Sequence, residues 1–174
     1  MLIRAYGQFW NPDIVEWGKK GPGNKGTLPG TGKWDNETTI EVDVWRQHGI
    51  YVLHDDFKSV YVGHAYDQPI GKRLRDHLTD RHAGRWDMFS WYGVYSIKKD
   101  GTLRFGKMRQ MSLETSIKSI EALAIYIADP PLNRRREVFE RAIALEQKES
   151  PHPHTIRHYL QQLLDSVEEI KGKV

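Results

Sequence analysis

The stretch Gly49-Ile50-Tyr51-Val52-Leu53-His54-Asp55-Asp56-Phe57-Lys58-Ser59-Val60-Tyr61-Val62-Gly63 decides how this 174-residue chain is read. Its two ends, 49–53 and 59–63, are rich in β-branched and aromatic residues, which suit a pleated, half-buried surface. The segment 54–58 between them has the polar composition of a turn. Two antiparallel strands follow from that pattern.

Upstream, Ile40, Val42 and Val44 alternate with Glu41, Asp43 and Trp45, a period of two that predicts another half-buried strand. Before it, Gly18 to Lys33 holds six glycines, two prolines and four lysines with no acid, which predicts a cationic loop. Its plain role is a solvated linker. Its sharper role is a flap that touches phosphates through Lys19, Lys20 and Lys25. The first 17 residues, with aromatics at 6, 9, 10 and 17, are expected to be ordered but irregular.

Downstream of Pro69, Ile70, Leu74 and Leu78 share one helical face, while Arg73, His77 and Arg81 stack at steps of four on another. Gly84 is expected to end that helix. A third strand is expected at about 91–97, and Asp100-Gly101 supplies a tight turn into 102–107. Helices are predicted over 112–128, opened by Ser112 and stopped before Pro130-Pro131, and over 134–148. A last helix is predicted over 155–171, with Ile156, Leu160, Leu163, Leu164 and Val167 as its apolar face. Strands first and helices later imply an α+β fold.

Composition narrows the function classes. There are no cysteines, which excludes disulfides, thiolate zinc sites and cysteine nucleophiles and fits a cytoplasmic protein. The longest apolar run, Ala122 to Ala128, falls well short of the ~20 residues a bilayer span requires, and no secretory leader is signalled, so no membrane association is expected. The net charge of +3 is modest, so affinity for phosphates must come from where the cations sit.

Several side chains are candidates for chemistry. Glu121 leaves its predicted helix among Ile117, Lys118, Ala124 and Ile125, a largely apolar side on which a carboxylate seeks a cation: Arg73, a lysine or a hard divalent metal. Arg73 and His77, four residues apart, could both address one phosphate, as donor fork and proton relay. Tyr51 and Tyr61 lie on adjacent predicted strands, where packing alone explains a tyrosine. Asn133 fits a helix N-cap. His152, His154 and His158 follow Ser150-Pro151 and are expected to be a solvated connector, while Trp86, Phe89, Trp91 and Tyr92 are expected to fill the core rather than stack on bases.

Taken in order, Gly49-Ile50-Tyr51, Tyr61-Val62-Gly63, Arg73 and His77 in RLRDH, Glu121 on a helix and Asn133 in PPLN resemble the GIY-YIG nuclease family over about residues 47–135. The resemblance implies a small antiparallel sheet of about three strands flanked by helices. Residues 47–135 would be the catalytic core, 1–46 an N-terminal extension and 136–174 a C-terminal helical extension. It also implies metal-dependent hydrolysis of DNA phosphodiesters, leaving a 5′-phosphate and a 3′-hydroxyl. Glu121 would be the sole protein ligand of Mg²⁺ (or Mn²⁺), Tyr51 would take the proton from water with help from His77, and Arg73 would stabilise the phosphoryl oxygens. Tyr61 would position the nucleophile or phosphate, and Asn133 would brace the site.

Lys72, Arg75 and Arg81 add cations along the same helix for gripping DNA, and the twelve-residue step from Tyr61 to Arg73 leaves Arg75 as a rival for the catalytic arginine. Two rivals to this expectation remain: a nucleic-acid binding module without catalysis, and a sequence-specific restriction-type enzyme acting as a homodimer.

Overall fold

The computed structural model describes residues 1–18, 26–35, 37–106, 111–133 and 139–150. The hairpin read from the sequence lies at one side of a much larger sheet. Strand β4, Gly49–Asp55, pairs antiparallel with β5, Lys58–Ala65, and on its other flank with β6, Met88–Gly93. Strand β1, Ala5–Trp10, pairs with the far side of β6, and β9, Ile143–Gln147, lies parallel to β1. Strands β2, Pro29–Lys33, and β3, Thr39–Asp43, complete a seven-stranded mixed sheet of order β3-β2-β9-β1-β6-β4-β5. Two short strands, β7, Ser96–Ile97, and β8, Leu103–Arg104, form a separate ribbon.

The expected three-stranded sheet flanked by helices is therefore corrected: seven strands share the main sheet, and the described residues hold two α-helices, α1, Ile70–Asp76, and α2, Leu113–Ala128. Strands β1, β2 and β3, all from the first 46 residues, join the same sheet as the hairpin. The start expected to be irregular thus contains β1, and the end of the expected glycine-rich loop is β2; Lys19, Lys20 and Lys25 lie outside the described residues. The stretch predicted as a helix over 134–148 instead supplies β9. There Leu145 is buried and its neighbours Ala144 and Glu146 are exposed, so the period is two. Nothing local demands this strand. It forms because β1 and β2 offer hydrogen-bonding edges on both sides. The helix expected over 155–171 lies outside the described residues.

Successive side chains of a strand point to opposite faces. Tyr51 and Leu53 of β4 and Phe89 and Trp91 of β6 pack on one face with Trp10, Trp45 and the α1 residues Ile70 and Leu74. Val52 and Tyr92, their neighbours in sequence, pack on the other with Ile3, Phe139 and the α2 residue Ala122. The two helices thus cover opposite faces of the sheet. The aromatic stretch fills the core as its composition predicts: Phe89, Trp91 and Tyr92 are buried, and Trp86 is half-buried against Phe89.

Helix α2 starts and stops where the sequence says, since the Ser112 side chain accepts the Thr115 N–H at 3.2 Å and Asp129 turns left-handed just before the paired prolines. Helix α1 is shorter than expected. It ends at Asp76 because Asp80 spends its carboxylate locally, accepting the His82 N–H at 2.7 Å and holding the His77 ring, and so folds 77–85 into turns rather than a continued helix. Among the described residues no helix is long and apolar enough to cross a membrane.

Candidate functional site

Cross-strand register places the first tyrosine of the signature directly opposite the glycine of the second triplet, Tyr51 against Gly63. The ring of Tyr51 lies over that glycine. A Cβ at position 63 would come 2.9 Å from Tyr51 Cε1 and closer still to Cζ and the hydroxyl, so only a glycine leaves the ring its seat. The ring thereby projects toward His77, the residue that caps the C-terminus of α1, where its hydroxyl meets His77 Nε2 at 2.7 Å.

His77 is held at its other nitrogen too, with Nδ1 2.7 Å from Asp80 Oδ2. An ionised carboxylate only accepts, so Nδ1 carries the ring proton and Nε2 accepts from the Tyr51 hydroxyl. The titration tendencies agree with that assignment. Burial, opposed by the Asp80 carboxylate and assisted by the charges of His82 and Arg73, lowers the His77 pKa below its ordinary value. Asp80 stays ionised. What burial it has pushes its pKa up, but the His82 N–H and the His77 ring together outweigh this and lower it. Tyr51 is pushed up to about 12, chiefly by burial, with Arg73 pulling down and Tyr61 pushing up. The phenol therefore keeps its proton at neutral pH.

Around this buried pair stand half-exposed groups. Tyr61, on the same face of β5, has its ring centroid 6.1 Å from that of Tyr51, 5.3 Å from that of His77 and 4.5 Å from that of His82. Arg73 comes close enough to the Tyr51 hydroxyl to bear on its ionisation. Beyond Tyr61 and His82 opens a cavity of about 360 Å³, also lined by Leu53, Val60, Arg85 and Trp86. Tyr51 is itself fully buried, whereas Asp80 is exposed and Tyr61, Arg73 and His82 are half-exposed.

The structure brings Tyr51, Tyr61, Arg73 and His77 together. It separates the two arginines in place: Arg75 lies with its guanidinium 5.7 Å over the Trp45 ring and donates Nη1 to the Trp17 carbonyl at 3.5 Å, while Arg73 faces Tyr51. Lys72 and Arg81 are exposed, and Arg81 Nε donates to His82 Nε2 at 3.2 Å. Glu121 is exposed on α2, the helix that covers the opposite face of the sheet, and has no hydrogen-bond or ion-pair partner among the described residues. Asn133 is exposed, its backbone N–H donating to the Pro130 carbonyl at 3.0 Å in a turn. His152, His154 and His158 lie outside the described residues.

Two residues at the site were missed by sequence reasoning, Asp80 and His82. Their signal was present as His77-Leu78-Thr79-Asp80-Arg81-His82, three potential ligands within six positions. One ligand atom from each of His77, Asp80 and His82 lies within 4.8 Å of the others, so this is the group in the described residues whose donors suit a metal. The other buried imidazole, His54, bonds Ser90 Oγ at 2.9 Å and stands beside Phe9, as a satisfied core histidine does. Compared with known proteins, no family model, no curated protein and no solved structure matches the chain.

Proposed function

We propose that the protein hydrolyses DNA phosphodiesters, with Tyr61, Tyr51, His77 and Asp80 forming a proton-accepting chain and Arg73 binding the phosphoryl oxygens. The observation that carries this reading is the pair of 2.7 Å contacts on the two nitrogens of one neutral, buried imidazole. A buried phenol needs some hydrogen-bond partner, but packing does not ask that the partner be a titratable base held in turn by a carboxylate. A hydrolytic base does, because water gives up a proton as it attacks phosphorus, and a phenol with its pKa near 12 accepts it only by passing its own proton on.

In this mechanism the phosphodiester rests at the cavity mouth against Tyr61 and Arg85, with Arg73 reaching in beside Tyr51. The Tyr61 oxygen takes the proton of the attacking water and passes its own to the buried Tyr51 oxygen, the Tyr51 proton moves to His77 Nε2, and the Asp80 carboxylate steadies the resulting imidazolium through Nδ1. Arg73 stabilises the charge that grows on the non-bridging oxygens. The resemblance to GIY-YIG nucleases in Tyr51, Tyr61, Arg73 and His77 supports the same chemistry and implies the 5′-phosphate product. That resemblance also implies magnesium at Glu121. A lone exposed carboxylate suits an ion that keeps most of its waters. It stands, however, on the far layer from Tyr51, and no step of this mechanism passes through an ion there.

The test is nicking of supercoiled plasmid by the full chain, with and without EDTA, in the wild type, Tyr51→Phe, His77→Gln and Glu121→Ala. Activity in the wild type and a loss of about 10²–10⁴-fold in Tyr51→Phe and His77→Gln are expected, the range for a lost acid–base group. Binding of DNA with no cutting by the wild type would instead make the chain a nucleic-acid binding module. The Glu121→Ala and EDTA arms decide whether an ion on α2 contributes.

A further inference from the structure

We propose that His77, Asp80 and His82 form a binding site for a divalent transition metal, zinc foremost, and that the bound ion arrests the tyrosine relay. The first half does not depend on the nuclease reading; the second rests on it.

The three donors are close to assembled. Their ligand atoms lie within 4.8 Å of one another, and His77 Nδ1 and Asp80 Oδ2 already sit 2.7 Å apart around a single proton. A tetrahedral zinc with bonds of about 2.0–2.2 Å sets its ligand atoms about 3.3 Å apart. The histidine–aspartate pair must open by a fraction of an ångström and the third atom must swing inward, moves that side-chain rotation supplies: Asp80 is exposed and His82 lies in a surface turn. The supports of the donors point the same way. The His82 N–H occupies Asp80 Oδ1 at 2.7 Å and leaves Oδ2 for the ion, and Tyr61 packs on the His82 ring with centroids 4.5 Å apart and planes tilted by 40°; an ion at His82 Nε2 would displace the Arg81 Nε that donates to it at 3.2 Å. The Tyr51 hydroxyl holds the far nitrogen of His77, the outer partner that metal-bound imidazoles commonly have.

Two imidazoles and one carboxylate favour zinc and its transition-metal neighbours over magnesium, which prefers oxygen alone. With no cysteine in the chain, no thiolate competes for the ion. His82 also lines the cavity beside Tyr61 and Arg85, from which a water or a phosphate oxygen can complete the shell.

Binding has a consequence for the relay. The ion takes the Nδ1 lone pair, so the ring's single proton moves from Nδ1 to Nε2. There it donates to the Tyr51 oxygen, and the Tyr51 proton turns toward Tyr61. His77 then has no lone pair with which to accept a proton from Tyr51, so the relay stops while the ion stays.

The experiment is titration of the full chain with Co²⁺ by visible absorption and with Zn²⁺ by calorimetry. The proteins are the wild type, Asp80→Asn, His82→Ala, His82→Gln and a variant with His152, His154 and His158 all changed to alanine. One ion per chain with four-coordinate cobalt bands is expected, weakened at least about 10-fold in the Asp80 and His82 variants and unchanged in the triple variant. Thermal melts establish that each variant is folded, and His82→Gln serves if the alanine variant is not. Wild-type affinity in Asp80→Asn and His82→Gln, loss confined to the triple variant, or no cobalt uptake by the wild type would each overturn the site. Slowed plasmid nicking with Zn²⁺ but not Mg²⁺ supports the arrest. A chain that binds zinc yet never cuts DNA keeps the metal site and loses the nuclease reading, so the two failures are told apart.

Discussion

Replacing Gly63 by alanine tests the seat of Tyr51 with little else changed. The new Cβ would stand 2.9 Å from Tyr51 Cε1 and nearer to Cζ and the hydroxyl. Carbon atoms rest about 3.5–4.0 Å apart, so the phenol end of the ring must withdraw by roughly 1 Å. The Tyr51–His77 bond, 2.7 Å long, has only about 0.5 Å to spare before it leaves the range of a good hydrogen bond. Overpacking of this kind costs about 1–3 kcal/mol, and a buried imidazole nitrogen left without its partner costs about 1–3 kcal/mol more. In a chain of this size each kcal/mol moves the melting temperature by about 2–4 °C, so Gly63→Ala should melt about 4–24 °C below the wild type in a circular-dichroism scan. Gly106→Ala is the control. Nothing lies within 4 Å of its added Cβ, and it should stay within about 0.5 kcal/mol of the wild type. If Gly63→Ala melts together with Gly106→Ala, the ring does not lie where the register places it, and the reasoning fails.

Two other outcomes follow from the same geometry. Burial lowers the pKa of both His77 and His54, so near pH 6 the unfolded chain binds more protons than the folded one. Stability from these two histidines is complete above their unfolded value of about 6.5 and is lost as the pH falls through their lower folded values. Urea midpoints should drop between neutral pH and about pH 5, and His77→Gln should flatten that slope; an unchanged slope would show that His77 is not the buried neutral group described. Arg73→Lys should cost about 10²-fold in nicking with little loss of stability, because one lysine point charge cannot replace a planar donor fork on a phosphate. Arg75→Lys should instead lower the melting temperature and leave nicking intact, since Arg75 covers Trp45; the reverse pattern would exchange their roles.

What could be read without coordinates was local. Strands β4 and β5 announce themselves by β-branched and aromatic runs, and α2 by Ser112 at one end and paired prolines at the other. The turn between β4 and β5 is tighter than composition suggests: Asp56 and Phe57 both adopt positive φ, 48° and 64°, and nothing in Phe57 itself advertises that. Phe57 earns its place by packing on Phe9, 48 positions upstream, with ring centroids 5.3 Å apart. Strand β9 was illegible for a related reason, because its only strong signal is Leu145 between two exposed residues, and its partners β1 and β2 lie more than a hundred residues away. The candidate site divides in the same way. Tyr51, Tyr61, Arg73 and His77 were visible as a spaced set, whereas Asp80 and His82 needed the break in α1 to bring them back toward His77. Glu121 was visible as a carboxylate on a helix, but which face of the sheet that helix covers depends on how Val52 and Tyr92 alternate with Tyr51 and Trp91, a matter of register.

The functional steps all begin with a neutral His77 that accepts the Tyr51 proton. Long-range ¹⁵N–¹H correlation on the histidine rings at neutral pH, assigned by comparison with His77→Gln, reads that state directly. For the metal-free protein a protonated Nδ1 and a bare, hydrogen-bonded Nε2 are expected, with the Nε2 resonance moving in Tyr51→Phe. A His77 ring that is doubly protonated, or that carries its proton on Nε2 and ignores the loss of the Tyr51 hydroxyl, would contradict the account at its root.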